Sequence, residues 1–99
     1  MIVYVLLNYS MGTANDVAVC ASKPIADGII EKHASVGRNE VVQHDVIGDI
    51  EQPGRVFTAS VYEPTNDVHN FVGVHGNFAL AKRMAGERGL VLGRDVILV

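Results

Sequence analysis

Four histidines and one cysteine are the side chains of this chain best suited to holding a metal or moving a proton: His33, His44, His69, His75 and Cys20. No His-Glu-x-x-His or Cys-x-x-Cys spacing joins them, so no metal centre and no cofactor is expected from the sequence. One coincidence stands out. When residues 1–44 are laid on residues 56–99, Cys20 falls on His75, each directly after a valine. In a pseudo-symmetric fold these two would occupy related places, with His44 and Asp45 as candidate co-ligands. The ordinary reading is simpler: a lone Cys is a small buried hydrophobe and scattered His residues are surface groups.

A second candidate is the turn Gly73, Val74, His75, Gly76 and Asn77, which opens onto an expected helix. Free amides at a helix start can bind phosphate or carboxylate, and glycine lets backbone approach closely. The run matches neither the Walker A nor the dinucleotide fingerprint and has no adjacent Lys, so a tight strand-to-helix turn is the favoured reading. A ligand site between the two halves would therefore draw on Cys20, His44, Gly73, His75, Gly76 and Asn77. No catalytic residue emerges. Ser10, Ser22, Ser35 and Ser60 lie outside any Gly-x-Ser-x-Gly elbow, and Asp45, Asp49 and Glu51 surround a connector where solvated carboxylates are ordinary. Lys82, Arg83, Glu87 and Arg88 read as the solvated face of a helix.

The elements that would position these residues follow from an internal duplication. Met1 to His44 falls on Val56 to Val99 without a gap, with Val17 on Val72, Val19 on Val74, Ala26 on Ala81, Val36 on Val91 and Val41 on Val96. Ile25, Ile29 and Val42 meet Leu80, Met84 and Ile97; Asn15 on Asn70 is the polar match. A repeat that keeps its apolar positions preserves a packing plan. Each half reads as strand, strand, helix, strand: 2–7, 17–21 and 40–46 with a helix after Ser22, then 56–63, 70–76 and 94–99 with a helix after Asn77. Ile25, Ala26, Ile29 and Ile30 form one buried stripe, Leu80, Ala81, Met84 and Ala85 the other, and Gly37 and Gly89 are placed to end the helices.

The expected fold is α+β: tandem β-β-α-β units in residues 1–46 and 56–99, joined by a connector at 47–55 within one domain. Its mainly antiparallel sheet would carry both helices on one face, the halves being related by a pseudo-twofold axis. If Ile2, Tyr4 and Leu6 face the helices, then Val3, Val5 and Leu7 face away, where the repeat offers the more polar Thr58, Ser60 and Tyr62. That apolar outer face, with Tyr9 and Met11 in the loop 8–16, is the expected partner contact. The curled sheet itself, a second copy or a host protein would cover it, a homodimer first among the intermolecular choices.

Composition sets the limits. At 99 residues with 48% hydrophobic and 19% charged side chains the chain is an ordered globule. A formal charge of −3 with interspersed signs argues against a nucleic-acid surface. The apolar start is too short and lacks the basic residues of a leader or membrane span, and the single Cys points to the cytoplasm.

The tandem pattern opening on Ile-Val-Tyr-Val-Leu-Leu, and the run Phe71-Val-Gly-Val-His-Gly-Asn-Phe-Ala-Leu-Ala-Lys, resembles small proteins of unknown function encoded by phages and prophages. The likeness covers both repeats and contains no signature motif. It departs at Gly28 and Gly86, which weaken helices. The resemblance implies an accessory protein of a mobile element that binds a host factor, and no catalytic residue. The expected function is a non-enzymatic protein interaction module, with a small-ligand, anion or metal binder, or a small enzyme, as the alternative.

Overall fold

The computed structural model describes residues 1–10, 12–32 and 37–99. Its elements run β1 (Ile2–Ser10), β2 (Thr13–Cys20), α1 (Lys23–Lys32), β3 (Arg38–Asp45), β4 (Arg55–Glu63), β5 (Val68–His75), α2 (Phe78–Ala85) and β6 (Leu90–Asp95). The fold is α+β with a β-β-α-β pattern in each half. There are two antiparallel three-stranded sheets, ordered β2-β1-β3 and β5-β4-β6, so the first strand of each unit is central.

Strand alternation assigns the two faces of β1. Val3, Val5 and Leu7 join Val19 from β2 and meet Val56, Val74 and Val96 of the second half in a core between the sheets. Leu6, with Ala18 and Cys20, points the other way and packs beneath Ala26 of α1. In the second half Ala59 lies beneath Ala81 and Ala85 of α2. Each helix thus covers its own sheet, on the side away from the shared core, instead of both lying on one face of a common sheet.

This arrangement corrects the expected partner surface. Val3 and Val5 are fully buried and Leu7 nearly so. The second sheet covers them, because joining two apolar sheet faces within one chain removes that area from water at about 25 cal/mol per Å² without a partner. Its more polar inner face is accommodated by pairing: Thr58 Oγ1 donates to Asp16 Oδ2 at 2.8 Å. Residues 8–10 and 13–16 are not an irregular loop but continue β1 and β2. Tyr9 packs partly buried at the margin of the shared core, with the Arg38 guanidinium 4.6 Å from its ring centre; Met11 lies outside the described residues.

The sheets are stitched together by their third strands. Just past β3, the Ile47 N–H donates to Val74 O at 3.0 Å and Ile47 O accepts from Gly76 N at 2.8 Å. Just past β6, the Ile97 N–H donates to Val19 O at 2.9 Å and Ile97 O accepts from Ala21 N at 2.9 Å. Each unit therefore lends a residue to the edge of the other unit's sheet.

Register corrects the gapless alignment of the halves. The bulges between Leu6 and Leu7 and between Ala59 and Ser60 equate Leu6 with Ala59, hence Val3 with Val56 and Tyr9 with Tyr62. The middle segments keep the expected pairing, Cys20 with His75. In the third strands, pairing to β1 and β4 equates Val41 with Val91, and Asp45-Val46-Ile47 with Asp95-Val96-Ile97. The cause is turn length: the second hairpin turn is longer, and the stretch after α2 shorter, than their counterparts. The last strand is consequently Leu90–Asp95 rather than residues 94–99. Gly86, at φ 81°, ends α2 with its N–H on Lys82 O at 3.0 Å, the role expected of Gly89. Met84 is exposed, because α2 rests on its two alanines. The cap expected of Asn77 is present, its Oδ1 accepting from Leu80 N at 3.0 Å.

Candidate functional site: a cavity beneath the first helix

The residues expected to gather around a ligand are dispersed. Cys20 and His75 hold equivalent positions, but each lies on its own sheet, on the face turned away from the shared core. Cys20 sits beneath α1, where burial pushes its thiol upward from the ordinary range. His75 is 1% exposed beside Phe57, and among the described residues neither ring nitrogen has a hydrogen-bond partner. Burial pushes its pKa down and outweighs the Phe57 backbone, which acts in the opposite direction. His44 stands edge-on to Phe71 at 5.2 Å, also lowered by burial. Among the described residues no three His, Cys, Asp or Glu side chains converge.

The turn into α2 is filled by the chain itself. Glu51 Oε1 accepts from Phe78 N at 3.1 Å, and the Asn77 cap takes Leu80 N, so first-turn amides already hold an intramolecular carboxylate and a carboxamide. A Cβ on Gly76 would stand 2.5 Å from Asp49 O and 2.6 Å from Gly48 O. The absent side chain at Gly76 admits the connector, not a ligand. Gly73 is buried, with the His75 ring 3.5 Å from where its Cβ would be.

A cavity of about 380 Å³ opens elsewhere, between α1 and its sheet. Among the described residues it is lined by Leu6, Asn8, Asn15, Val17, Ile29, Ile30 and Asn39. Leu6 and Asn8 project from the helix side of β1, Ile29 and Ile30 from the last turns of α1. Val17 is the extra residue of the bulge opposite Leu6 and Leu7. The asparagines form one rung across the sheet, Asn8 paired with Asn15 on one side and with Asn39 on the other. Asn8 Nδ2 donates to Asn39 Oδ1 at 3.1 Å, and Asn15 Nδ2 to Thr13 Oγ1 at 3.3 Å.

The second half closes the equivalent space. Leu6 is replaced there by Ala59 and Ile30 by Ala85, and small facing residues bring α2 closer to its sheet than α1 is to its own. Gly89, in the place of Asn39, lies so near Ala85 that a Cβ would overlap the Ala85 backbone. Asn70, the counterpart of Asn15, is spent inside the fold: its Oδ1 accepts from Ala14 N at 3.0 Å and its Nδ2 donates to Glu63 Oε2 at 3.1 Å.

None of the lining residues was singled out by motif, because none belongs to a chemical signature. The available signal was positional: Asn8, Asn15 and Asn39 fall on the helix-facing side of strands, where apolar residues are the rule. Compared with known protein families, curated proteins and solved structures, the chain matches none.

Proposed function

We propose that this protein binds a small molecule in the cavity beneath α1. The observation that carries the reading is the asymmetry of the duplication: two units with one plan differ in that the second packs its helix down on alanines and the first leaves a lined space of about 380 Å³. That volume lies in the usual range of small-ligand sites, and a mainly apolar lining with a few polar groups is their usual composition. Among the described residues lining the cavity there is no general base, nucleophile or metal cluster, and the apolar surface with a few carboxamides supports binding. The buried thiol of Cys20 suits a reducing compartment such as the cytoplasm.

The test is a methyl-resolved NMR titration with a library of small neutral fragments. Saturable shifts confined to the methyls of Leu6, Val17, Ile29 and Ile30, and abolished by Val17→Phe at the half-exposed mouth, are the expected result. A library that moves none of these methyls refutes the reading.

A second reading retains protein association, now through sheet edges. β3 and β6 are the outer strands of their sheets, and Leu90 at the start of β6 is exposed. Pairing of β6 with its copy in a homodimer would add main-chain bonds there. Light scattering across a concentration series, with Leu92→Pro as the control, tests it: a mass that stays monomeric refutes the dimer.

A further inference from the structure

We infer that the ligand of this cavity is an apolar molecule, a hydrocarbon ring or short alkyl group, which completes the core beneath α1 and takes no hydrogen bond from the asparagine rung. This rests on the cavity being a binding site, and adds the class of molecule it takes.

The wall of the cavity and the core of the first half share their residues. Leu6, Ile29 and Ile30 line the space and also belong to the cluster built on Ala18, Cys20 and Ala26 beneath α1. Val17, 46% exposed, carries this surface to the mouth. The space is thus a place where a hydrophobic core stops short of filling. In the second half the equivalent core is closed, Ala59 packing directly with Ala81 and Ala85. An apolar body set against Leu6, Ile29 and Ile30 removes their remaining surface from water and supplies the contacts that packing has left unmade.

The polar part of the lining is already spent on the protein itself. Asn8 Nδ2 donates to Asn39 Oδ1 at 3.1 Å, and both residues hold a further partner. Asn15 commits its Nδ2 to the Asn8 carbonyl at 3.5 Å and the Thr13 hydroxyl at 3.3 Å, and stands at an exposed position where water competes for the rest of it. A polar head on the ligand would have to break one of these bonds to make its own, an exchange with little net gain. A charged head fares worse. It would leave water beside Leu6 and Ile29 with no ionisable side chain among the described lining residues to meet it.

The experiment compares isopropylbenzene, benzamide and sodium benzoate, which share one shape and differ in the chemistry of the branch, by their effect on the methyl resonances of Leu6, Ile29 and Ile30 at neutral pH. Isopropylbenzene is expected to bind about tenfold more tightly than either of the others. Along benzene, toluene and ethylbenzene the affinity is expected to rise about fourfold with each added carbon. Asn15→Ala is expected to leave this order unchanged. Benzamide or benzoate binding as tightly as isopropylbenzene, or losing affinity in Asn15→Ala, overturns the apolar class and leaves the binding site standing. Shifts from none of the probes overturn the binding site itself.

Discussion

His44 and Arg94 occupy the same position in the two halves, and each crosses to the other half to meet a residue that is itself equivalent. His44 stands against Phe71 at 5.2 Å, while Arg94 Nε donates to Asp16 Oδ2 at 3.0 Å and its Nη2 to the Asp16 carbonyl at 2.8 Å. One inter-half contact is thus written twice, as an aromatic pair and as an ion pair. Their energetics differ. The Asp16 side chain is 5% exposed, so removing its cation leaves a buried carboxylate supported by Thr58.

Arg94→Met is expected to cost about 2–4 kcal/mol in urea denaturation, the usual consequence of orphaning a buried charge whose partner is itself partly solvated. His44→Leu is expected to cost about 1 kcal/mol or less, since an edge-on ring contact is replaced by apolar packing. Equal costs for the two substitutions would show that Asp16 is solvated.

Acid should weaken the fold through His44 and His75. Burial holds both below the ordinary histidine value of 6.5, so in the range beneath it the unfolded chain binds more protons than the folded one. Stability is then complete above about pH 6.5 and falls as pH drops through the lowered folded values. Urea midpoints at neutral pH and near pH 5 should show that fall, and His75→Leu should reduce it by removing a ring whose nitrogens are buried without partners. A pH-independent midpoint over this range would contradict the burial of both rings.

Val5→Glu distinguishes an outer face from an inner one. On an exposed surface the variant would fold and lose only association. Val5 is instead fully buried against the facing sheet, so an unpaired carboxylate there should cost more than about 4 kcal/mol and abolish the folded signal in circular dichroism. A folded Val5→Glu chain would dismantle the inter-sheet core.

Two glycines should respond in opposite directions. Gly28 lies within α1 with open space where a Cβ would stand, so Gly28→Ala is expected to stabilise by about 0.5–1 kcal/mol. Gly76→Ala drives its methyl against the connector carbonyls and is expected to destabilise by about 1–3 kcal/mol. Thermal melts of the two variants decide both.

The element types and their order were legible because apolar periodicity survives duplication, and the helix-side stripe of Ile25, Ala26, Ile29 and Ile30 is where the pattern puts it. The register of the outer segments was not, because turns of unequal length slide the first and third strands relative to the middle. The clue was present in the repeated Asp-Val-Ile of 45–47 and 95–97, which a gapless comparison separates. The facing of β1 was read correctly as two apolar sides, but one sequence does not say what lies against the second side. The cavity was invisible for a further reason: it arises from the volume difference between Leu6 and Ala59 once each is under a helix, and the asparagine rung becomes a rung only when three strands are in register.

Ile47 seated on β5 and Ile97 seated on β2 make the smallest complete assembly a pair of units. In a pair of identical separate chains, every change to one helix bed is imposed on the other, and a site can be opened only twice or not at all. Tethering the two copies in tandem abolishes that constraint. One bed is then free to remain closed and carry the burden of folding, while the other drifts open.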